Sequence, residues 1–422
     1  MRGSIVLLHD RVGKVAVSTL FILLTSITVC AQISQEDGPF KVSVSYNGDI
    51  FTNTTGGANT GTVYLDNIDV NLEANFENLP FGFSGTTFYV YGLGNQGNSI
   101  SSYAGDVQGI SNIEAENSWR IFEFWAQKKF FLANSSILVG LYDINSEFNA
   151  LNSSLLFLNS SSGLDPTIAL SGKMGPSTFP HTSLAVRLKV NVYKGMVFQA
   201  AVLDGVPSNP ENSRGTKVFL REEDGLFYIG ELGLHSLSNQ NLQMRNRTAR
   251  LQKILSPGNG SDNNIGIGAW YYSREKDIWD GTGSEHEYGV YALGEYEVLK
   301  REDASPKSIK VFARAGWSNP KTNMLDSFYG GGMVFTGLLP SRTDDETGIA
   351  FAHALGGAGY INNTMLNSNR PEEAETNIEF THKIMLNDYA GIQPNVQYVI
   401  NPGFDGTLDN SLVAGIRLNI GF

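Results

Sequence analysis

Beyond residue 31 the chain contains no run of about 20 apolar residues, the length a helix needs to cross a bilayer's hydrocarbon core. It is divided instead into segments of about ten residues in which apolar and polar side chains alternate, separated by pieces rich in Gly, Asn, Ser and Asp. A period of two puts one set of side chains on each face of an extended strand. In hydrocarbon every backbone N–H and C=O must be paired, and a closed antiparallel sheet pairs all of them. The clearest segment is the last. Leu412, Ala414, Ile416, Leu418, Ile420 and Phe422 share one face, and Ser411, Gly415, Arg417, Asn419 and Gly421 share the other. The pattern predicts an all-β fold, a transmembrane antiparallel barrel with lipid on one face and water on the other.

The same alternation recurs along the chain. Phe40, Val42, Val44 and Tyr46 oppose Lys41, Ser43, Ser45 and Asn47, and Ile68, Val70, Leu72, Ala74 and Phe76 oppose Asp69, Asn71, Glu73 and Asn75. Thr182, Leu184, Val186, Leu188 and Val190 oppose Ser183, Arg187, Lys189 and Asn191; Ile309, Val311, Ala313 and Ala315 oppose Lys310, Arg314 and Ser318. Strands are expected at 40–50, 62–77, 85–94, 118–128, 136–144, 182–191, 194–203, 226–237, 263–273, 286–299, 307–318, 328–337, 346–355, 375–385, 392–400 and 410–422. Sixteen is an even number, as bacterial barrels require. By parity Tyr46, Phe76 and Tyr271 face lipid as girdle residues. With both termini periplasmic, the longer connections point outward. The exception is 238–262, a long periplasmic connection carrying Arg245, Arg247, Arg250 and Lys253, read as an amphipathic insert without an assigned role.

Segment 136–144 departs from the alternation. Ile137, Val139 and Leu141 are apolar on one face, and Leu138, Tyr142 and Ile144 on the other. An apolar inner face needs cover. The connection that follows, 145–181, has 37 residues, too long for a bare loop without a task. It is expected to fold into the lumen and narrow it.

The flanking composition restricts the rest. The formal charge is −12 and only 17% of residues are charged, with no Lys/Arg-rich stripe to neutralise phosphates, which argues against nucleic acid as a partner. Residues 1–31 read as an export signal, with Arg2, Arg11 and Lys14 ahead of an apolar stretch from Val15 to Val29 and a small-residue site at Val29-Cys30-Ala31. Cleavage after Ala31 leaves one domain, 32–422, starting at Gln32 with a charge of −14 and without the only cysteine, Cys30. A lipoprotein box at Cys30 is the rival, with Val29 the wrong residue before it. The barrel therefore goes to the outer membrane, where a terminal aromatic such as Phe422 suits the last strand.

Several stretches resemble the carbohydrate-selective porins of the OprB type. Asp106-Val107-Gln108-Gly109-Ile110-Ser111-Asn112, then Arg120-Ile121-Phe122-Glu123-Phe124-Trp125, resembles a loop and strand of that family. Gly140 to Phe148 resembles the next strand end, and Gly175-Pro176-Ser177-Thr178-Phe179-Pro180 a loop exit. Gly337-Leu338-Leu339-Pro340-Ser341-Arg342 with Asp345 and Gly348, and Ile392 to Gly403 with the closing strand, complete the match over 100–422. The resemblance implies a sixteen-stranded barrel with a charged constriction that favours sugars, and no cofactor. The implied partners are small sugars or other hydrophilic solutes and outer-membrane lipid. Monomer and homotrimer are both open.

The candidate pore-lining residues are Arg120, Glu123, Asp143, Asn145, Glu147, Arg187 and Arg314, on inward parity or near strand ends where parity loosens. Arg120 is out of step with Glu123, Trp125 and Gln127. A sugar hydroxyl is both donor and acceptor, so Arg donors and carboxylate acceptors can replace its water transiently. The same charges can instead brace the wall against one another. Trp125, Trp270 and Phe312 also point inward, either as a stacking track for sugar rings or as packing for the inserted loop. Arg342 with Asp344 and Asp345 reads as a structural ion pair in a periplasmic turn. Glu285-His286-Glu287 reads as solvated loop rather than a metal site, and no catalytic or metal constellation is assigned. Three other functions compete: general diffusion with a weak cation preference, a barrel enzyme of the outer membrane, and a soluble secreted β-protein that binds glycans.

Overall fold

The computed structural model describes residues 38–76, 84–130, 135–193, 195–209, 211–235, 263–300, 308–339, 341–364 and 370–422. The expected signal segment and the 238–262 insert lie outside them. Sixteen strands are present: β1 Phe40–Thr55, β2 Gly61–Asn75, β3 Thr86–Gly97, β4 Ser118–Phe130, β5 Ser135–Tyr142, β6 Ser183–Tyr193, β7 Met196–Asp204 and β8 Leu226–His235. The second half is β9 Asn264–Asp277, β10 Ser284–Lys300, β11 Ser308–Ser318, β12 Leu325–Thr336, β13 Glu346–Gly356, β14 Ala374–Asn387, β15 Ala390–Ile400 and β16 Ser411–Gly421. Each pairs antiparallel with its sequence neighbours, and β1 closes on β16.

The closure is a register from Ser45↔Gly421 to Thr55↔Leu412, extended by two bonds between Val44 and Phe422, N–H to C=O at 3.1 and 2.9 Å. Each strand exposes a large apolar side chain on its outer face, such as Ile50, Val70, Phe124, Val186, Val290 and Ile416. Asp49, Asp69, Arg187, Glu379 and Arg417 on the inner face are buried. In water that outer band would be a penalty; in lipid it is the solvent-matched surface.

The strand number and order agree with the sequence expectation, while several outer ends run longer. β1 reaches Thr55 rather than residue 50, and β9 reaches Asp277 rather than 273. Those ends, such as Ser273-Arg274-Glu275-Lys276-Asp277, carry no apolar alternation because they need no lipid face. β5 is shorter than expected: Asp143 and Ile144 have left the strand and start a 3-10 turn.

Two local devices shape the β3–β5 wall. Tyr91 pairs with Glu123 and Gly92 with Ile121, so Phe122 is an extra residue, a bulge that resets the parity of β4. Arg120 and Glu123 both face inward as a result. Gly140 has φ 142°, and a Cβ there would meet the Phe124 carbonyl oxygen at 2.2 Å. Only glycine lets β5 approach β4 this closely.

Candidate permeation site

Segment 143–182, between β5 and β6, is rich in Ser, Asn and Asp, residues that cap short turns with their own side chains. Asp143 accepts from Asn145 N at 2.9 Å, Asn159 from Ser161 N at 3.0 Å and Asp165 from Thr167 N at 2.8 Å. Each starts one turn of helix, at Ile144–Ser146, Ser160–Gly163 and Pro166–Ala169. The apolar residues in and between these turns, Phe148, Leu151, Phe157, Leu164 and Ile168, share one buried cluster with Tyr89, Trp125, Leu138, Tyr142, Phe227, Trp270, Leu293 and Phe312 of the strands. Each large side chain so buried contributes roughly 1.5–3 kcal/mol. The apolar inner face of β5 has the cover it needs.

Polar bonds fix the segment's position. Wall carboxylates accept from its backbone: Glu123 from Asp143 N, Glu231 from Asn149 N, Glu295 from Ser153 N, Glu379 from Leu158 N and Asn159 N, and Glu287 from Gly172 N, all between 2.7 and 3.2 Å. Arg314 donates to the carbonyls of Asn149, Ser161 and Ser162 at 3.0–3.1 Å. Charge-assisted bonds of this kind are roughly twice as strong as neutral ones.

A second segment, 98–117 between β3 and β4, is held in the same way. Glu375 accepts from Val107 N and Gln108 N, and Gln397 donates to the Ile110 carbonyl. Arg417 forms a two-pronged pair with Asp49, both contacts 2.7 Å, and donates to Asn112 at 2.8 Å. The two segments also bond to each other, Asn112 N to Leu158 O and Ser160 N to Gly109 O, both 2.8 Å.

Glu147 is the electrostatic centre of the first segment. Its carboxylate pairs with Arg187 at 2.7 Å and Lys189 at 2.9 Å and accepts from the Tyr142 hydroxyl at 2.8 Å. Burial pushes its pKa up, but the two cations and the hydrogen bonds outweigh that and hold it at about 2. Arg187 is 1% exposed and also donates to Ser136 Oγ and Gln127 Oε1.

Seven of the nine residues expected from sequence to line the pore are buried: Arg120, Glu123, Trp125, Asp143, Arg187, Trp270 and Arg314. Asn145 and Glu147 are partly exposed. Glu123, Trp125, Asp143, Asn145, Glu147 and Arg187 come together on one side of the barrel, where Trp125 donates to Glu123 and stacks on Tyr89 with centroids 5.0 Å apart. Arg314 reaches the same segment from β11. Trp270 packs against Phe227 and Tyr272 within the same buried cluster, and Arg120 bonds locally to Ser118 at the outer end of β4.

Elsewhere, Arg342 pairs with Asp345 at 2.8 Å, and Glu285-His286-Glu287 lies in β10 rather than a loop. Sequence reasoning missed the clamps Asp49, Glu231, Glu295, Glu375, Glu379 and Arg417, and the attachment of the second segment to the wall. A lone acid on an inward face, such as Glu295 after Gly294, was the available signal, since a buried carboxylate must be bonded. Its partner is a backbone amide, which every segment offers alike.

Comparison with known proteins agrees with this architecture. The family model described as "Carbohydrate-selective porin, OprB family" matches residues 59–422. Porin B of Pseudomonas aeruginosa is 22% identical over 419 residues, covering 91% of this chain and 87% of the relative. Among solved structures, the high-pH structure of Pseudomonas putida OprB is similar with a TM-score of 0.76 at 18% identity, covering 92% of this chain and 95% of that one. The outer membrane channel DcaP of Acinetobacter baumannii is similar with a TM-score of 0.52 at 12% identity, covering 92% and 99%.

Proposed function

The chain belongs to the OprB family of carbohydrate-selective porins, and from that premise we propose that segment 143–182 forms its selective constriction. It is an outer-membrane channel through which small sugars diffuse passively. The exposure that Asn145 and Glu147 keep, 11% for the Glu147 side chain, beside the buried Glu123, Asp143, Arg187 and Arg314 that hold the segment, is the observation that carries the proposal. Asn145 and Glu147 meet the solute. Glu123, Asp143, Arg187 and Arg314 hold the segment in register, and Trp125 and Trp270 pack beneath it. An amide and a carboxylate beside the Lys189 ammonium offer donors and acceptors within one opening, which suits a ligand whose hydroxyls are both. The role of the remaining candidate, Arg120, is to shape the outer wall at β4.

Liposome swelling tests this. Small sugars should enter faster than amino acids of equal size, and Glu147→Gln should narrow the difference while the barrel stays folded. Equal rates in the unaltered protein would remove the selectivity. The charge of −14 expected for a chain starting at Gln32 supports a second reading, a weak cation preference, which the reversal potential in a salt gradient measures. We further propose that the mature chain starts at Gln32 and assembles as a monomer or homotrimer. N-terminal sequencing of membrane-extracted protein that showed Met1, or a lipid on Cys30, would refute the first; cross-linking in the membrane decides the second.

A further inference from the structure

Around most of the barrel each strand meets its neighbour through a backbone ladder. The outer end of β4 does not. Pairing with β5 stops at Phe124↔Leu141, so residues 118–123 have β3 on one side and no strand on the other. An open edge facing hydrocarbon is expensive. Here it is met by side chains. Thr216 Oγ1 accepts from Ile121 N at 3.0 Å and lies 2.9 Å from Ile121 O, to which it can donate, and Thr182 Oγ1 donates to Phe122 O. One hydroxyl, donor and acceptor at once, answers both backbone groups of one residue.

Thr216 belongs to segment 211–225, which is pinned on both sides of it. Ser213 and Arg214 bond to Glu116, and Lys217 turns inward to Asp204, Asp224 and the Val206 carbonyl, using all three of its N–H donors. The next three residues are Val218, Phe219 and Leu220, exposed by 62, 42 and 63%. The Phe219 ring has the Lys217 ammonium 5.6 Å and the Arg221 guanidinium 5.1 Å from its centroid. Trp119 and Ile121, on the edge that Thr216 covers, are exposed too and belong to the outward apolar face of β4 with Phe124.

We propose that segment 211–225 is a strap embedded in the membrane rather than a free external loop, with Val218, Phe219 and Leu220 seated in the outer-leaflet hydrocarbon. It seals the seam where β5 falls short, and its partner is lipid. Three large apolar side chains held out in sequence would be a liability in water, and they continue a surface that lipid already covers. This inference rests on the outer-membrane reading of the chain.

The test uses the full-length protein with Cys30→Ser and one new cysteine, Phe219→Cys or Leu220→Cys, carrying an environment-sensitive fluorophore. Val186→Cys on the lipid face of β6 and Thr60→Cys in the 56–60 turn are the controls, and heat-modifiability checks that each variant folds. In vesicles with brominated acyl chains, both strap positions should lose fluorescence to the extent that Val186→Cys does and resist aqueous iodide. Iodide quenching as strong as at Thr60→Cys would overturn the proposal, as would protection from both quenchers, which would mean that protein covers the strap. If Val186→Cys itself escapes the brominated lipid, the membrane placement of the barrel fails, and the strap with it.

Discussion

Arg187 shows how a residue placed by parity acquires its role from its neighbours. Its guanidinium is used by Glu147, Ser136 and Gln127 together, so it braces segment 143–182, the proposed constriction. Arg187→Ala should destabilise the barrel by about 1–3 kcal/mol, the cost of leaving the buried Ser136 and Gln127 acceptors without their donor while Glu147 keeps Lys189, visible as a lower denaturation temperature. Sugar and ion flux should then change in proportion in single-channel and swelling assays. A loss confined to sugar would mark Arg187 as a solute contact. Glu147 also makes a pH prediction. Its folded pKa of about 2 lies below the ordinary 4.5, so the stability it contributes is full above pH 4.5 and is lost as pH falls toward 2. The part of the conductance that Glu147→Gln removes should hold steady down to about pH 4 and shift only below it; a transition near neutrality that Glu147→Gln abolishes would mean that the carboxylate is not held. Asp165 works the other way. Burial raises it to about 6, opposed by its bonds to Thr167 and the charge of Arg314. Acidification through that value removes a buried charge and firms the segment.

At the scale of elements, the two segments are held by carboxylate clamps from many strands, so no single bond defines the proposed constriction. Replacing 150–172 by a short Gly/Ser turn should raise ion conductance and erase the preference for sugars; unchanged conductance would place the segment outside the conducting path. At the seam, Thr216→Val leaves Ile121 N–H and C=O without their hydroxyl, a loss of about 1–3 kcal/mol. Hydrogen exchange at Ile121 should accelerate while that at Ile416 does not. The need for a cover over β5 was legible from Leu138, Tyr142 and Ile144 in a strand that should alternate. The bulge at Phe122 was not, because an extra residue leaves the composition of a strand unchanged and only alters which neighbour each residue meets.

For the whole molecule the decisive contact is the closure between the first and last strands. Phe422 exchanges two backbone bonds with Val44, and its ring stacks on Tyr389 with centroids 5.8 Å apart. Deleting Phe422 should lower the yield of heat-modifiable barrel, while barrels that form conduct normally; unchanged assembly would show that the ladder from Ser45↔Gly421 onward suffices. What the sequence by itself determined was the barrel: sixteen strands, and the lipid and lumen faces of those that alternate. A period of two is local, and in hydrocarbon one closed sheet satisfies it. Only the tertiary structure decided how the lumen is filled, because Glu231, Glu295, Glu375 and Glu379 bind backbone amides far along the chain. A carboxylate's preference for an N–H carries no address, and the address is supplied by the curvature that brings distant segments against the wall.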